Sequence, residues 1–350
     1  MKVDAFLTEP ELSTIAGLAP AYELAGYDGL FLGETRCDPF LPLTIAAEHT
    51  SRMDLGTGIA VALPRSPMHL ASTGYELQRY SEGRHILGLG SQVRAHVERR
   101  FSADFSPPAR RMAELVRGIR AVWSCWENDE PLDFRGEFYT LTLMTPFFRP
   151  RRSEFGLPGI YLAAVGDVMT ETAGAVADGV FLHPFSTPHY IATRSLPALA
   201  RGRAKSDHAD GRFEVAASVF VATGDTEEEV SEQTARVREQ LAFYGSTPAY
   251  RPVLEAHGWP GVQEELQRLA AARRWSDMAS VIDDSVLDAF CVRGHRDDVA
   301  GEIVRRYSAL VDRISFYTPE AAEARQWADL ADLVRAGARA TADTDRVPAS

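Results

Sequence analysis

The chain has no run of about 18 apolar residues of the kind that crosses a bilayer, and Met1-Lys2-Val3-Asp4 passes directly into a strand pattern with no leader-like apolar segment. A cytoplasmic protein is expected. Cysteine is scarce: Cys37, Cys125 and Cys291 are odd in number and far apart, which excludes a disulfide framework and any CxxC metal or redox motif. Lysine occurs only as Lys2 and Lys205, and asparagine only as Asn128. Basic residues number 37 against 49 acidic, a net charge of −12, which argues against nucleic acid or an anionic membrane as partner. Walker A and HExxH motifs are absent. The Gly88-Leu89-Gly90 start of a dinucleotide fingerprint fails because Val93 holds the third glycine's place. His183 and His189 lie six apart without a carboxylate cluster, so no metal site is expected.

What remains is a regular alternation of strand and helix in a chain that is 45% hydrophobic. Strand patterns fall at Val3 to Leu7, Gly29 to Gly33, Asp54 to Leu63, Arg84 to Leu89, Gly159 to Ala164, Gly179 to Leu182, Phe213 to Ala222 and Val311 to Tyr317. Helical patterns separate them. Eight βα units predict an α/β fold, a (β/α)₈ TIM barrel over residues 1–335, whose ligands gather where the strands end. Two stretches interrupt the repeat. Residues 129–158, after the fourth helix, hold a hairpin-like segment around Gly136 and a Pro- and Arg-rich run; residues 243–280, before strand eight, are helical but broken by Gly245, Pro248, Pro252, Gly258 and Pro260. Residues 336–350 read as a flexible C-terminal tail.

The residues just past the strands are the candidate site. Glu34 follows strand two, Ser91 and Gln92 strand four, Gly166 and Asp167 strand five, and His183 strand six. Glu34 serves equally as a proton-transfer group or as a structural carboxylate paired with an arginine such as Arg36. His96 is a second proton-transfer candidate or a plain surface histidine. Gly166 and Asp167 open a helix whose free N–H groups suit a phosphate, although the Asp167 carboxylate opposes one and could simply cap the helix.

The segments Gly56 to Pro67, Ser81-Glu82-Gly83-Arg84 and Leu87 to Gln92 resemble the luciferase-like oxidoreductases, in particular their coenzyme F420-dependent branch. Ala163-Ala164-Val165-Gly166, Ala177-Asp178-Gly179-Val180, Phe243 to Tyr250 and Val311 to Ser315 extend the resemblance over nearly the whole chain. The resemblance implies a deazaflavin at the strand C-termini, with a non-prolyl cis peptide near Ala60, Val61 and Ala62 behind its ring. It places Glu34 and Thr35 beside the ring, Ser91 and Gln92 along it, and Ala163, Ala164, Gly166 and Asp167 near the ribityl phosphate. Two positions depart from it. Cys37 stands where many relatives carry histidine, and Glu82 stands within the usual Ser-Gly-Gly-Arg.

The expected activity is hydride transfer between C5 of F420 and a small organic substrate, with Glu34 and His96 as the catalytic candidates. Phe40, His183, Phe185 and the second insertion would form the substrate wall, and Arg36, Arg65 and Arg94 could receive the cofactor's acidic tail. An FMN-dependent monooxygenase is the closest alternative, and a catalytically silent cofactor-binding barrel a third. Neither a nucleic acid nor a membrane is expected as partner, and the sequence leaves a homodimer open.

Overall fold

The computed structural model describes residues 1–9, 11–105, 107–206, 211–317 and 327–344. Eight parallel strands close on themselves: β1 (Lys2–Leu7), β2 (Gly29–Leu32), β3 (Asp54–Thr57), β4 (His85–Gly90), β5 (Gly159–Ala164), β6 (Gly179–Leu182), β7 (Glu214–Thr223) and β8 (Arg313–Tyr317). Closure is made by β1 against β8, with Lys2 opposite Arg313 and Asp4 opposite Ser315. The principal helices are α1 (Leu12–Leu24), α2 (Phe40–Glu48), α3 (Pro67–Tyr80), α4 (Pro108–Asn128), α5 (Gly166–Val176), α6 (Leu196–Arg203), α7 (Glu227–Gly245), α8 (Arg296–Tyr307) and α9 (Ala328–Thr344). This is the (β/α)₈ barrel expected. Several starts have local causes: Ser66 caps α3 just ahead of Pro67, and Thr226 with Glu229 makes a reciprocal capping box at α7.

Strand three, whose pattern runs over Asp54 to Leu63, is broken by a bulge of the kind the resemblance implies for it. β3 pairs with β2 as far as Thr57, Gly58 and Ile59 step out of register, and Ala60–Val61 then pair only with β4. The Gly58–Ile59 peptide is cis, two residues ahead of the expected place. The second insertion also runs further than 243–280. Its helices Arg251–Ala256, Pro260–Ala271 and Asp284–Phe290 lead into a ninth parallel strand, Cys291–Gly294, which lies outside the barrel on the C-terminal half of β7. A helix-rich pattern concealed this four-residue strand. The first insertion holds the antiparallel pair Phe134–Arg135 and Thr140–Leu141, as expected. The stretch read as a tail from residue 336 is instead helical to Thr344. Leu330, Ala331, Val334 and Ala338 bury one face of α9, and Arg335 pairs with Asp28.

Inside the barrel two layers fill the bore. Toward the strand N-termini, Arg313 is 0% exposed and bonds both carboxylate oxygens of Asp4 (2.8 and 2.7 Å), then Asp54 (2.7 Å) and Glu214 (3.2 Å). Burial works against that charge, and the carboxylates more than offset it, raising the guanidinium's affinity for its proton. Above it Phe31, Tyr161 and Ile86 pack with Phe6 and Phe181. Gly88 is required here for space. A Cβ at Gly88 would fall 1.9 Å from the carbonyl oxygen of Thr57. The C-terminal end above these rings stays open.

Candidate active site

A cavity of about 960 Å³ occupies that open end. Its floor is Phe6, Phe31 and Asp4, and its sides come from the strand ends: Gly58 and Ile59 after β3, Gly90, Ser91 and Gln92 from β4, Ala163 and Ala164 from β5, Leu182 and His183 from β6, Ala216 to Ser218 from β7, and Ser315 and Tyr317 from β8. One wall is close to bare backbone, because Gly90, Ala163 and Ala164 carry almost no side chain. Arg94, Phe105 and Arg110 form part of the rim.

The opposite wall is aromatic and hydroxylic. Tyr250, from the turn Pro248–Tyr250 of the second insertion, stacks on His183 with ring centroids 4.4 Å apart, and its hydroxyl lies 2.9 Å from His183 Nε2. His183 Nδ1 accepts the backbone N–H of Phe185 at 3.0 Å. Burial pushes the imidazole down to about 3, so it is neutral at ordinary pH. Tyr244 and Tyr317 share a hydrogen bond of 2.5 Å, and Ser218 and Ser315, opposite each other in the β7–β8 register, share one of 2.8 Å. Burial raises all three phenols above their usual range, Tyr250 to about 12.

Among the residues expected at the site, Ser91, Gln92, Ala163, Ala164 and His183 line the cavity. The others lie elsewhere. Glu34 accepts hydrogen bonds from the N–H of Val61 (2.7 Å) and from Arg65 (2.6 and 3.1 Å), so its carboxylate faces the loop after β3 and not the bore. Its partner is Arg65 and not Arg36, which pairs with Glu9. Thr35 turns its hydroxyl to the Thr8 carbonyl. His96 is exposed on the short helix Arg94–Arg99, off the cavity wall. Ala60, Val61 and Ala62 are completely buried, and Gly58 and Ile59 take the cavity-facing place.

Asp167 is held by Arg194 at 2.7 Å, which offsets its charge at the start of α5. Gly166 and Asp167 are absent from the lining, to which their neighbours Val165, Val168 and Met169 contribute. Phe40 packs at the start of α2 under Arg65, and Phe185 is buried against Phe290, so neither is a wall residue. Of the three arginines, only Arg94 reaches the rim; Arg65 is taken by Glu34 and Asp38.

The sequence reading missed Tyr244, Tyr250, Tyr317, Ser218 and Ser315. A signal existed for two of them. Ser218 and Ser315 are hydroxyls in strands that are mainly apolar beyond Glu214 and Arg313 at their starts, where an inward polar residue stands out. Tyr250 carries no such mark, since a turn in an insertion has no period.

The family model for luciferase-like monooxygenase matches residues 2–313. The chain belongs to the luciferase-like family. A Mycobacterium tuberculosis protein described only as uncharacterised is 48% identical over 314 residues, covering 90% of this chain and 92% of that one. A second protein of the same organism, provisionally named as a coenzyme F420-dependent oxidoreductase, is 28% identical, with 91% and 94% covered. In the solved structure of coenzyme F420-dependent tetrahydromethanopterin reductase from Methanopyrus kandleri the same fold recurs, with a TM-score of 0.72 at 20% identity over 95% of this chain and 96% of that one. Members of this luciferase-like family are oxidoreductases. Among the described residues no group of three or more histidine, cysteine or carboxylate side chains could hold a metal, and no helix is long and apolar enough to cross a membrane.

Proposed function

We propose that this luciferase-like protein is an F420-dependent oxidoreductase that transfers a hydride between the deazaflavin C5 and a small organic substrate at the C-terminal mouth of the barrel. The observation that carries the reading is the cavity itself. At about 960 Å³ it lies at the upper end of the range for small-molecule sites, roughly 300–1,000 Å³, and has room for a tricyclic ring together with a small partner. The residues present fit such a group. Gly90, Ala163 and Ala164 leave a smooth backbone wall, while Ser91 and Gln92 offer polar groups along it.

When bound, the deazaflavin would supply the hydride chemistry, and the protein supplies placement. The wall of Ser91, Gln92, Ala163 and Ala164 would hold the ring, and Arg94 and Arg110 at the rim would meet an acidic tail by exchanging their present partners Glu98 and Glu137. The His183, Tyr244, Tyr250 and Tyr317 wall bounds the space left for substrate and keeps water out of it. Neither Glu34 nor His96 lines that space, and neither is proposed as the proton carrier. The relative named for F420 supports the cofactor assignment. Anaerobic titration of the purified chain with F420 and with FMN tests it. Saturable F420 binding with substrate reduction is expected, whereas tight FMN binding with oxygenation and no affinity for F420 overturns the proposal in favour of a monooxygenase.

A further inference from the structure

We propose that the Tyr250 hydroxyl, held in its donor orientation by His183, is the hydrogen-bond donor for the oxygen of a neutral carbonyl substrate, an aldehyde or ketone. His183, neutral in its buried place, has a single ring proton. Its Nδ1 accepts the Phe185 amide N–H at 3.0 Å, so that nitrogen carries no proton. A neutral imidazole then has its single proton on Nε2, 2.9 Å from the Tyr250 oxygen. Tyr250 therefore accepts from His183, and its own O–H proton is left over.

No other hydrogen bond of the Tyr250 hydroxyl exists among the described residues, and the other hydroxyls of the wall bond one another in pairs, each pair keeping one O–H proton of its own. Tyr244 is bound to Tyr317 and Ser218 to Ser315. Tyr250 lines the cavity, so the acceptor for its proton is a molecule entering there. Burial keeps the phenol protonated, with an affinity raised to about 12, which suits it to donate and not to act as a base.

The charge distribution selects the class of acceptor. Arg313 beneath the floor is saturated by Asp4, Asp54 and Glu214, and Arg94 and Arg110 stand at the rim, where the function proposed above gives them to the cofactor's acidic tail. An anionic substrate beside Tyr250 would find no unmatched cation, whereas a carbonyl oxygen needs one donor and apolar surroundings. A reduced deazaflavin, when bound, would supply the hydride for the carbonyl carbon. As the π pair moves to oxygen, the oxygen takes the Tyr250 proton, and the phenolate is reprotonated from solvent, to which the oxidised cofactor would give up the matching proton. The hydride source rests on the function proposed above; the hydrogen bond does not.

The hydrogen bond is therefore tested without turnover, on the full chain with and without F420. The probe is 4-dimethylaminocinnamaldehyde, whose absorption moves to longer wavelength when its carbonyl oxygen accepts a hydrogen bond. A red shift on binding is expected, lost in Tyr250→Phe with about tenfold weaker binding, diminished in His183→Phe, and retained in Ser218→Ala. Should Tyr250→Phe not fold, replacing Tyr250 by 3-fluorotyrosine keeps its shape while strengthening the acid, and the shift should deepen. The proposal is overturned by an unshifted or unbound probe on the unaltered protein, by a shift that survives Tyr250→Phe or ignores fluorination, or by tighter binding of the corresponding cinnamate anion. A red shift without any F420 affinity would overturn the cofactor assignment alone.

Discussion

The carboxylate of Glu34 is shared between Arg65 at 2.6 Å and the Val61 N–H at 2.7 Å, which ties the loop after β2 to the backbone just beyond the cis peptide. The Glu34 side chain is only 6% exposed, so this is a largely desolvated pair whose disruption leaves an unmatched charge. Asp38 and the Val61 carbonyl still hold Arg65 when Glu34 is changed, which limits the loss. Glu34→Gln is expected to lower unfolding free energy by about 2 kcal/mol in urea, while F420 affinity changes by less than about threefold. A large loss of affinity at unchanged stability would return Glu34 to the cofactor's side.

The bare wall offers the converse experiment. Ala163 faces open cavity, and a Cβ placed at Gly90 would come within 3.5 Å of the Ala163 methyl, so both mark the same narrow strip. Ala163→Leu adds bulk into space and not into packed core, so the usual overpacking penalty does not apply. Cofactor titration is expected to show at least about a tenfold loss, with the thermal midpoint nearly unchanged. Undiminished F420 binding would mean that the ring lies elsewhere in the cavity.

These contrasts show what the sequence carries and what it does not. The eight strands were legible because an inward and an outward face, or burial on both faces, impose apolar runs that a single window detects. Ser91, Gln92, Ala163, Ala164 and His183 were legible because the barrel aims whatever follows a strand at the mouth. Glu34 met that rule as well, yet Arg65, one strand onward, turns it outward; a pairing between separate loops leaves no trace in spacing. Tyr250 reaches the site by a fold-back of the second insertion, and Cys291–Gly294 is a strand only because β7 extends past the barrel to receive it. Such placements come from long-range packing.

His85 gives the fold a defined acid sensitivity. It is buried, burial pushes its imidazole down to about 4, and the Leu55 carbonyl 3.1 Å from Nδ1 only partly opposes the shift. Because the folded value lies below the unfolded one of about 6.5, the unfolded chain binds the extra proton. Stability is therefore complete above about pH 6.5 and falls as pH drops toward 4, by about 3 kcal/mol in full. Denaturation midpoints across this window should slope less in His85→Asn, whose amide can still donate to Leu55. An equal slope in the two proteins would assign the acid sensitivity to other groups, of which His183 is the first to examine.

Arg313 should show the opposite sign once removed. In the intact chain burial alone would raise Asp54, but Arg313 and Lys2 beside it bring it below the ordinary carboxylate range, so this pair loses stability as pH falls. Arg313→Met leaves Asp4, Asp54 and Glu214 facing one another in the bore, with Lys2 beside Asp54 and Arg212 beside Glu214 as the remaining cations. A loss of about 3–5 kcal/mol at pH 7 is expected. The stranded carboxylates then have folded values above their unfolded ones, so their proton uptake favours the fold. These carboxylates should stabilise the variant as pH is lowered toward about 5, whereas the parent loses its Asp54 contribution only below about pH 4, and Asp4→Asn in the same background should recover part of the loss at pH 7. If the variant weakened with acid in step with the parent, closure of the barrel at β1 and β8 would rest on the Phe31, Tyr161 and Ile86 packing above the ion cluster.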